Sequence, residues 1–478
     1  MSRSRGTTGV AIVVAVAAIS TGTWALSRWQ PFADEAHTID WPKNVQPLVD
    51  YIQGVTDLQF RDSINFEYIS QRTEYNTRVR PEAHVYTDDE QAALAIEEGV
   101  GRALGLWSGD ASLADSLNAI STAEPRPVQW RADDNLVLIN GRSEKASLSP
   151  SLRADLIVYL TQALIEQNFH LIERRDTAAS PQEHDAVAAL QVGVALWVHD
   201  QYVDDLSARD RDDYASESAQ QGETYVDSVL SVPPTLKAIH IAFQILGPVF
   251  ITALAEDDPA WVQDALSSRV PTAMDQISLP AAKYVRNDPV ESVGAPPAPA
   301  DTTMHYTDQL GPFRLFLMFA TGLPANESLT ASDGWGNDRY TVYQLNDSAT
   351  VCTDIHIVAD SPVDADRMEH ALNGWALARP GAAGALVGRA GVNLYASVCD
   401  PGPSVQQNVA DELAIEQYFG RANFIQQQAM DTGKPELAEC VATDFFSKFT
   451  IEQFADESLG RELDAAYAAI QDECRHSI

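Results

Sequence analysis

LRADLIVYLTQALIEQNFHL, residues 152–171, is the stretch on which the reading of this chain turns. Apolar residues at Leu156, Leu160, Ala163, Leu164 and Leu171 recur at helical spacing over a length no ordinary strand reaches, so the segment predicts a central buried helix. After a loop at 178–183, residues 184–203 (HDAVAALQVGVALWVHDQYV) predict a second long helix. A third apolar run, LKAIHIAFQILGPVFITAL at 236–254, has the length of a membrane span. Lys237, His240 and Gln244 at helical spacing, with Gly247-Pro248 placed to bend or interrupt it, mark it instead as a buried helix of a soluble core. Just upstream of the central helix, Asp133-Asp134 can turn the chain before the apolar run 136–139, and Asn140-Gly141 can turn it again. A short strand pair is therefore expected there.

Composition sets the class. With 478 residues and 45% hydrophobic content the chain can bury large cores and divides naturally into two or three domains. Sixty-eight Asp and Glu against 32 Lys and Arg give a net charge of -36, spread along the chain. A nucleic-acid partner needs a basic face to replace counterions, so none is expected. Only six basic residues are Lys and Ala is abundant, which fits a GC-rich or salt-adapted bacterial source.

At the N-terminus, Arg3 and Arg5 precede an apolar run over residues 9–26. The run has about the minimum length of a spanning helix, and its arginines would stay in the cytoplasm. Residues 1–8 thus read as cytoplasmic, 9–26 as a signal anchor and the rest as extracytoplasmic. A cleaved signal peptide shares the charged front and apolar centre, but no A-x-A-like site follows the run. Cys352, Cys399, Cys440 and Cys474 are even in number and lack C-x-x-C spacing, which agrees with export and disulfides. Spacing does not fix connectivity; local pairing would join Cys352 to Cys399 and Cys440 to Cys474.

The central stretch resembles the active-site helix of bacterial zinc metallopeptidases of the gluzincin type, roughly L-V-H-E-L-T-H-A-L-Q-D-Q-H-F-D-L. The match runs through Leu160, Thr161, Ala163, Leu164, Gln167, Phe169 and Leu171. In that family two His four residues apart hold zinc and the Glu between them is the base. Here those positions are Val158, Tyr159 and Gln162. The third ligand, from an E-G-D-A-like motif on the next helix, falls on Val192 in Val192-Gly193-Val194-Ala195. Hydrocarbon, a phenol and an amide replace imidazole and carboxylate, which implies a catalytically dead relative with no metal and no cofactor. Val158, Val192 and Val194 would then fill the vacancy with hydrocarbon. A relocated metal site would have to recruit His170, Glu173, His184, His199 or Asp200, and their spacing does not require one.

The resemblance continues. Residues 271–280 with Lys283-Tyr284 follow the order of the family's P-x-S-T-E-Q-x-L-H-P-x-K-Y block, which makes Asp275, Gln276 and Tyr284, together with Gln162 of the central helix, candidates for a binding groove. Gly334-Trp335-Gly336-Asn337-Asp338-Arg339-Tyr340 is similar to the family's G-W-G-G-D-R-Y-like turn, where Asp338 and Arg339 would form a structural ion pair.

Elsewhere, residues 45–58 start a helix, 79–86 read as a strand with a Pro break, and 88–106 as a helix whose Glu97 and Glu98 form a solvated face. Residues 293–301 (VGAPPAPAD) form a Pro-rich connector. Strands are expected over 341–358 and 387–398, with a helix over 363–378 between them and helices throughout 408–478. Gly381 to Gly391 lacks the Gly-Lys-Ser/Thr ending of a phosphate loop. The expected fold is helix-rich α+β: a metallopeptidase-like domain at 27–300 with a small sheet, an α+β module at 301–407 and a C-terminal helical module at 408–478. Two functions are compatible with these features. One is a membrane-anchored extracytoplasmic pseudopeptidase that binds a peptide, an envelope component or an active peptidase homologue. The other is a hydrolase with a relocated or non-metal site.

Overall fold

The structure, a computed structural model, describes residues 39–79, 83–123, 127–454 and 456–477. The apolar run at 9–26 lies outside the described residues. The fold is helix-rich α+β, 60% helical with two small sheets.

The central helix is Pro150–Phe169. Ser149 caps it by accepting the Leu152 N–H, and Pro150 sits in the first turn, where its missing N–H costs nothing. His170 ends it in the left-handed conformation at φ 53°. Leu156, Ile157, Leu160, Ala163 and Leu164 pack on one side in a cluster with the helix Gln46–Thr56 and a three-stranded sheet. That sheet holds β1 (Asn65–Tyr68), β2 (Val128–Arg131) and β3 (Leu136–Ile139) in the order β1-β3-β2, with β3 parallel to β1 and antiparallel to β2. The expected strand pair is β2 and β3.

Across the central helix lies Pro181–Asp204, and behind that Pro234–Asp257. These two helices touch backbone to backbone. A Cβ added to Gly193 would lie 2.4 Å from the Gly247 carbonyl oxygen, and one added to Gly247 would lie 2.3 Å from the Ala189 oxygen. Pro234–Asp257 continues through Pro248 unbroken. Among the described residues it alone is long and apolar enough to cross a membrane, and 61% of its most apolar window is buried inside the protein. That burial is the environment of a core helix.

The second sheet has five antiparallel strands: β4 (Thr302–Asp308), β5 (Trp335–Leu345), β6 (Val351–Ala359), β7 (Leu386–Ala390) and β8 (Asn393–Cys399), ordered β4-β5-β6-β8-β7. Val342, Ile355, Ile357, Leu394 and Val398 point from its inner face into the main core. One apolar cluster runs from Val100 through the long helices and this sheet to Ile470 and Cys474, so segments 27–300, 301–407 and 408–478 share a core. Cys352 bonds Cys399 across β6 and β8, and Cys440 bonds Cys474 between the helices Pro435–Lys448 and Gly460–Ser477.

Three local expectations are corrected. Val79 closes a helix, Arg72–Val79, and residues 83–87 have no strand. Residues 335–340 belong to β5 rather than to a turn before it. Asp338 and Arg339 cannot pair, because neighbours on a strand point to opposite faces. Asp338 is buried and accepts the N–H groups of Leu310 (2.7 Å) and Gly311 (2.8 Å) and the Trp335 indole N–H (2.8 Å). It thereby fixes the start of the helix Gly311–Phe319 against the sheet.

Replacing Gly193 or Gly247 by Ala tests the backbone contact. Helix propensity alone would stabilise the chain by about 1 kcal/mol. The clash reverses the sign, and thermal or urea unfolding should show a net loss of roughly 2–3 kcal/mol. An unchanged or raised melting temperature would contradict the close crossing.

Candidate functional site

The four positions matching the zinc-site motif lie on the two facing helices, with Val158, Tyr159 and Gln162 on Pro150–Phe169 and Val192 on Pro181–Asp204. All four are half-buried. Val194, expected with Val158 and Val192 to fill the vacant site, is buried. Gly193, the one residue of the E-G-D-A-like motif kept with Ala195, is the helix-crossing glycine.

The relocation candidates do not converge as a set. His170 and Glu173 are exposed at the end of the central helix, and His184 contacts only its neighbour Asp185 at 3.1 Å. His199 is different. Its Nδ1 meets Asp200 at 2.9 Å and its Nε2 meets the Tyr214 hydroxyl at 3.2 Å. Tyr214 comes from the helix Ala208–Ser228, which sequence periodicity did not single out because it is polar throughout and buries no side chain fully. Polar contacts dock this helix. Arg153 pairs with Asp210 at 2.7 Å, and Glu217 accepts from the Ser149 hydroxyl at 2.9 Å and the Ser151 N–H at 3.2 Å. Asp155, one turn before Val158, completes the group. Its Oδ2 is enclosed without a hydrogen-bond partner, and desolvation pushes its carboxyl up to about 6, against the pull of nearby His199. A carboxyl raised to about 6 beside a hydrogen-bonded imidazole is suited to moving a proton.

The binding-groove candidates have another role. Asp275 and Tyr284 are buried, and half-buried Gln276 accepts the Thr272 N–H at 2.8 Å. Asp275 lies on the short helix Met274–Ser278, which leads into a π-helical turn, Pro280–Val285, that carries Lys283 inward. The buried Lys283 ammonium contacts Asp275 at 3.9 Å, Asp288 at 2.6 Å and Asp360, at the end of β6. One cation therefore joins the helical half to the five-stranded sheet. Tyr284 donates to the Arg269 carbonyl at 2.8 Å, and the Arg269 guanidinium lies over the rings of Tyr284 and Trp261 at 4.6 and 5.0 Å. A second buried group adjoins. Glu439 accepts the N–H groups of Ala281 and Ala282, both at 2.8 Å, and buried Arg421 pairs with Asp333. Asp275, Tyr284 and Gln276 thus each make structural contacts inside this junction.

Carboxylates outnumber cations here, so burial holds protons on them. Desolvation raises Asp275 to about 7, Asp360 to about 6 and Glu439 to about 7. Glu97 follows the same logic. It is half-buried beside Tyr306 and Asp308, where desolvation pushes it up, while Glu98 accepts the Leu113 N–H at 2.8 Å. Neither belongs to a solvated face.

A shallow open groove of about 460 Å³ is lined by residues 320–323, Gly374, Leu377, Ala378 and Asn408. None of the candidate site residues lines it. Among the described residues the only other ligand-like grouping is Cys440, Asp444 and Cys474, whose sulfurs form a disulfide.

Residues 302–400 match a family model described as a domain of unknown function (DUF8575), which coincides with β4 through β8. No curated protein and no solved structure matches the chain.

The raised carboxyls set the pH dependence. Below about pH 4 they are protonated in both folded and unfolded chains, and between about 4 and 7 the folded chain binds more protons, so stability falls as pH rises. The exposed carboxylates with lowered values, Glu67, Glu90 and Asp456, oppose this but are screened by solvent. The melting temperature is expected to be higher at pH 5 than at pH 8, and Asp275→Asn should flatten the difference. A melting temperature that rises steadily from pH 5 to 8 would contradict the assignment.

Proposed function

We propose that the chain is a membrane-anchored, extracytoplasmic pseudopeptidase: a metallopeptidase-like scaffold without zinc chemistry that binds a peptide, an envelope component or an active peptidase homologue. One observation carries the reading. Where the gluzincin pattern calls for two imidazoles, a base and a carboxylate, this chain presents Val158, Gln162, Tyr159 and Val192 on two directly packed helices. No pair of these side chains can hold a divalent zinc ion tightly. Two disulfides support export, because thiols stay reduced in the cytoplasm. The arginines before the apolar run at 9–26 support an anchor whose bulk faces outward.

Asp155, His199 and Tyr214 favour a second reading, a hydrolase with a relocated, metal-free site where the helix Ala208–Ser228 meets that pair. There the hydrogen-bonded Tyr214-His199-Asp200 chain would orient the imidazole as a base, and Asp155 would supply a proton.

Elemental analysis of the chain purified without chelators tests the first reading, with zinc expected well below one atom per chain. One tightly held zinc would overturn it. Peptide and ester hydrolysis that survives chelation but is lost in both Asp155→Asn and His199→Ala would establish the second reading in its place.

A further inference from the structure

The outer face of the five-stranded sheet is half covered by the chain's own Pro-rich connector. Strand register puts Thr341 of β5, His356 of β6, Tyr395 of β8 and Leu386 of β7 on one face, opposite the core-facing Val342, Ile355 and Leu394. Residues 291–301 run across the β5 and β6 part of this face without regular secondary structure. Their carbonyls are accepted partners of side chains on or beside the sheet. Asn337 donates to the Glu291 oxygen, the His356 ring to the Gly294 oxygen at 3.2 Å, Thr341 to the Pro296 oxygen at 2.5 Å and Thr302 to the Pro299 oxygen at 2.7 Å. Pro296, Pro297 and Pro299 have no N–H to offer a neighbouring strand, so recognition falls on their carbonyls.

Glu291 also donates its N–H to the Gly336 oxygen at 3.1 Å and Asn346 donates to the Asp301 oxygen at 2.8 Å, but the strap buries little side chain. Only Val293, Pro296 and Ala298 among residues 291–300 are even half-buried. The rest of the face is open and carries exposed apolar side chains among polar ones: Tyr395 stacks on His356 at 4.6 Å yet is 43% exposed, and Leu386, opposite Ser397, is 69% exposed. The region matched as a distinct domain begins at 302, immediately after the strap, so the face belongs to the module and its cover does not.

We propose that this face is a docking surface for an extended Pro-rich peptide of a partner protein, and that the connector 291–301 is its exchangeable intramolecular occupant. Thr341 and His356 read the carbonyls of the incoming chain, while Tyr395 and Leu386 extend the contact beyond the strap. A tethered segment competes at an effective concentration near millimolar, so the strap sets the threshold a partner must exceed. The inference does not depend on the metallopeptidase-like reading of the helical half.

The probe is a fluorescent peptide of residues 291–301 (ESVGAPPAPAD), titrated by anisotropy against three forms of the full chain. These are the native chain, a form with residues 293–300 replaced by Gly and Ser at equal length, and that form with Thr341→Val. The replaced form should bind at least tenfold more tightly than the native chain, and Thr341→Val should remove most of the gain. If the replacement impairs folding, a native chain given protease sites at Ser292-Val293 and Ala300-Asp301 and cut at both after folding releases the strap and exposes the same face. Absence of peptide binding to a replaced or cut chain that melts like the native one would overturn the proposal, as would equal affinity for all forms.

Discussion

The backbone contact between Gly193 and Gly247 is the constraint on which the rest of the structure depends. With no side chain between them, the helices Pro181–Asp204 and Pro234–Asp257 approach closely enough for the central helix to sit on one side and the C-terminal helices on the other. A single methyl group at either position would push the layers apart, because a packed interior has no slack to absorb it. The hydrophobic character of all three helices follows from this layering, since each is covered on more than one side.

Charge is the second constraint. A chain with a net charge of -36 gains solubility from its acids but must not bury many of them ionised. Where the helical half meets the five-stranded sheet it buries several, grouped around Lys283 and Arg421. Proton retention by Asp275, Asp360 and Glu439 relieves the repulsion. The junction is therefore held by hydrogen bonds and partly neutral acids, and its strength follows pH. The helix Ala208–Ser228 represents the opposite case: it buries nothing fully and is held by exposed polar contacts, which makes it the least firmly attached long helix over the central pair.

The sheet module adds a third kind of contact. Its inner face is an apolar layer of the common core, while its outer face offers donors and aromatic surface, partly occupied by the connector. A Pro-rich segment suits that position because it loses little freedom on docking and makes no strand-like ladder that would fuse it to an edge.

The sequence by itself determined the helices at 150–169, 181–204 and 234–257, the β2 and β3 pair, the module's strands within 341–358 and 387–398 and the helix between them, because apolar periodicity and turn residues act locally; it did not mark β4. It also determined that the motif positions carry Val158, Gln162 and Val192 in place of imidazole and carboxylate, since that depends on residue type alone. Only the tertiary structure decided the fates of Asp275, Tyr284 and Glu97, which read as groove or surface residues and are buried or half-buried. It also decided the meeting of Asp155, His199 and Tyr214 from three helices. The partners of Lys283 show the reason: Asp288 is close in sequence, but Asp360 lies 77 residues away on another element. Long-range neighbours of a charge, and hence its burial and protonation, leave no periodic trace in the chain and arise only when the elements pack.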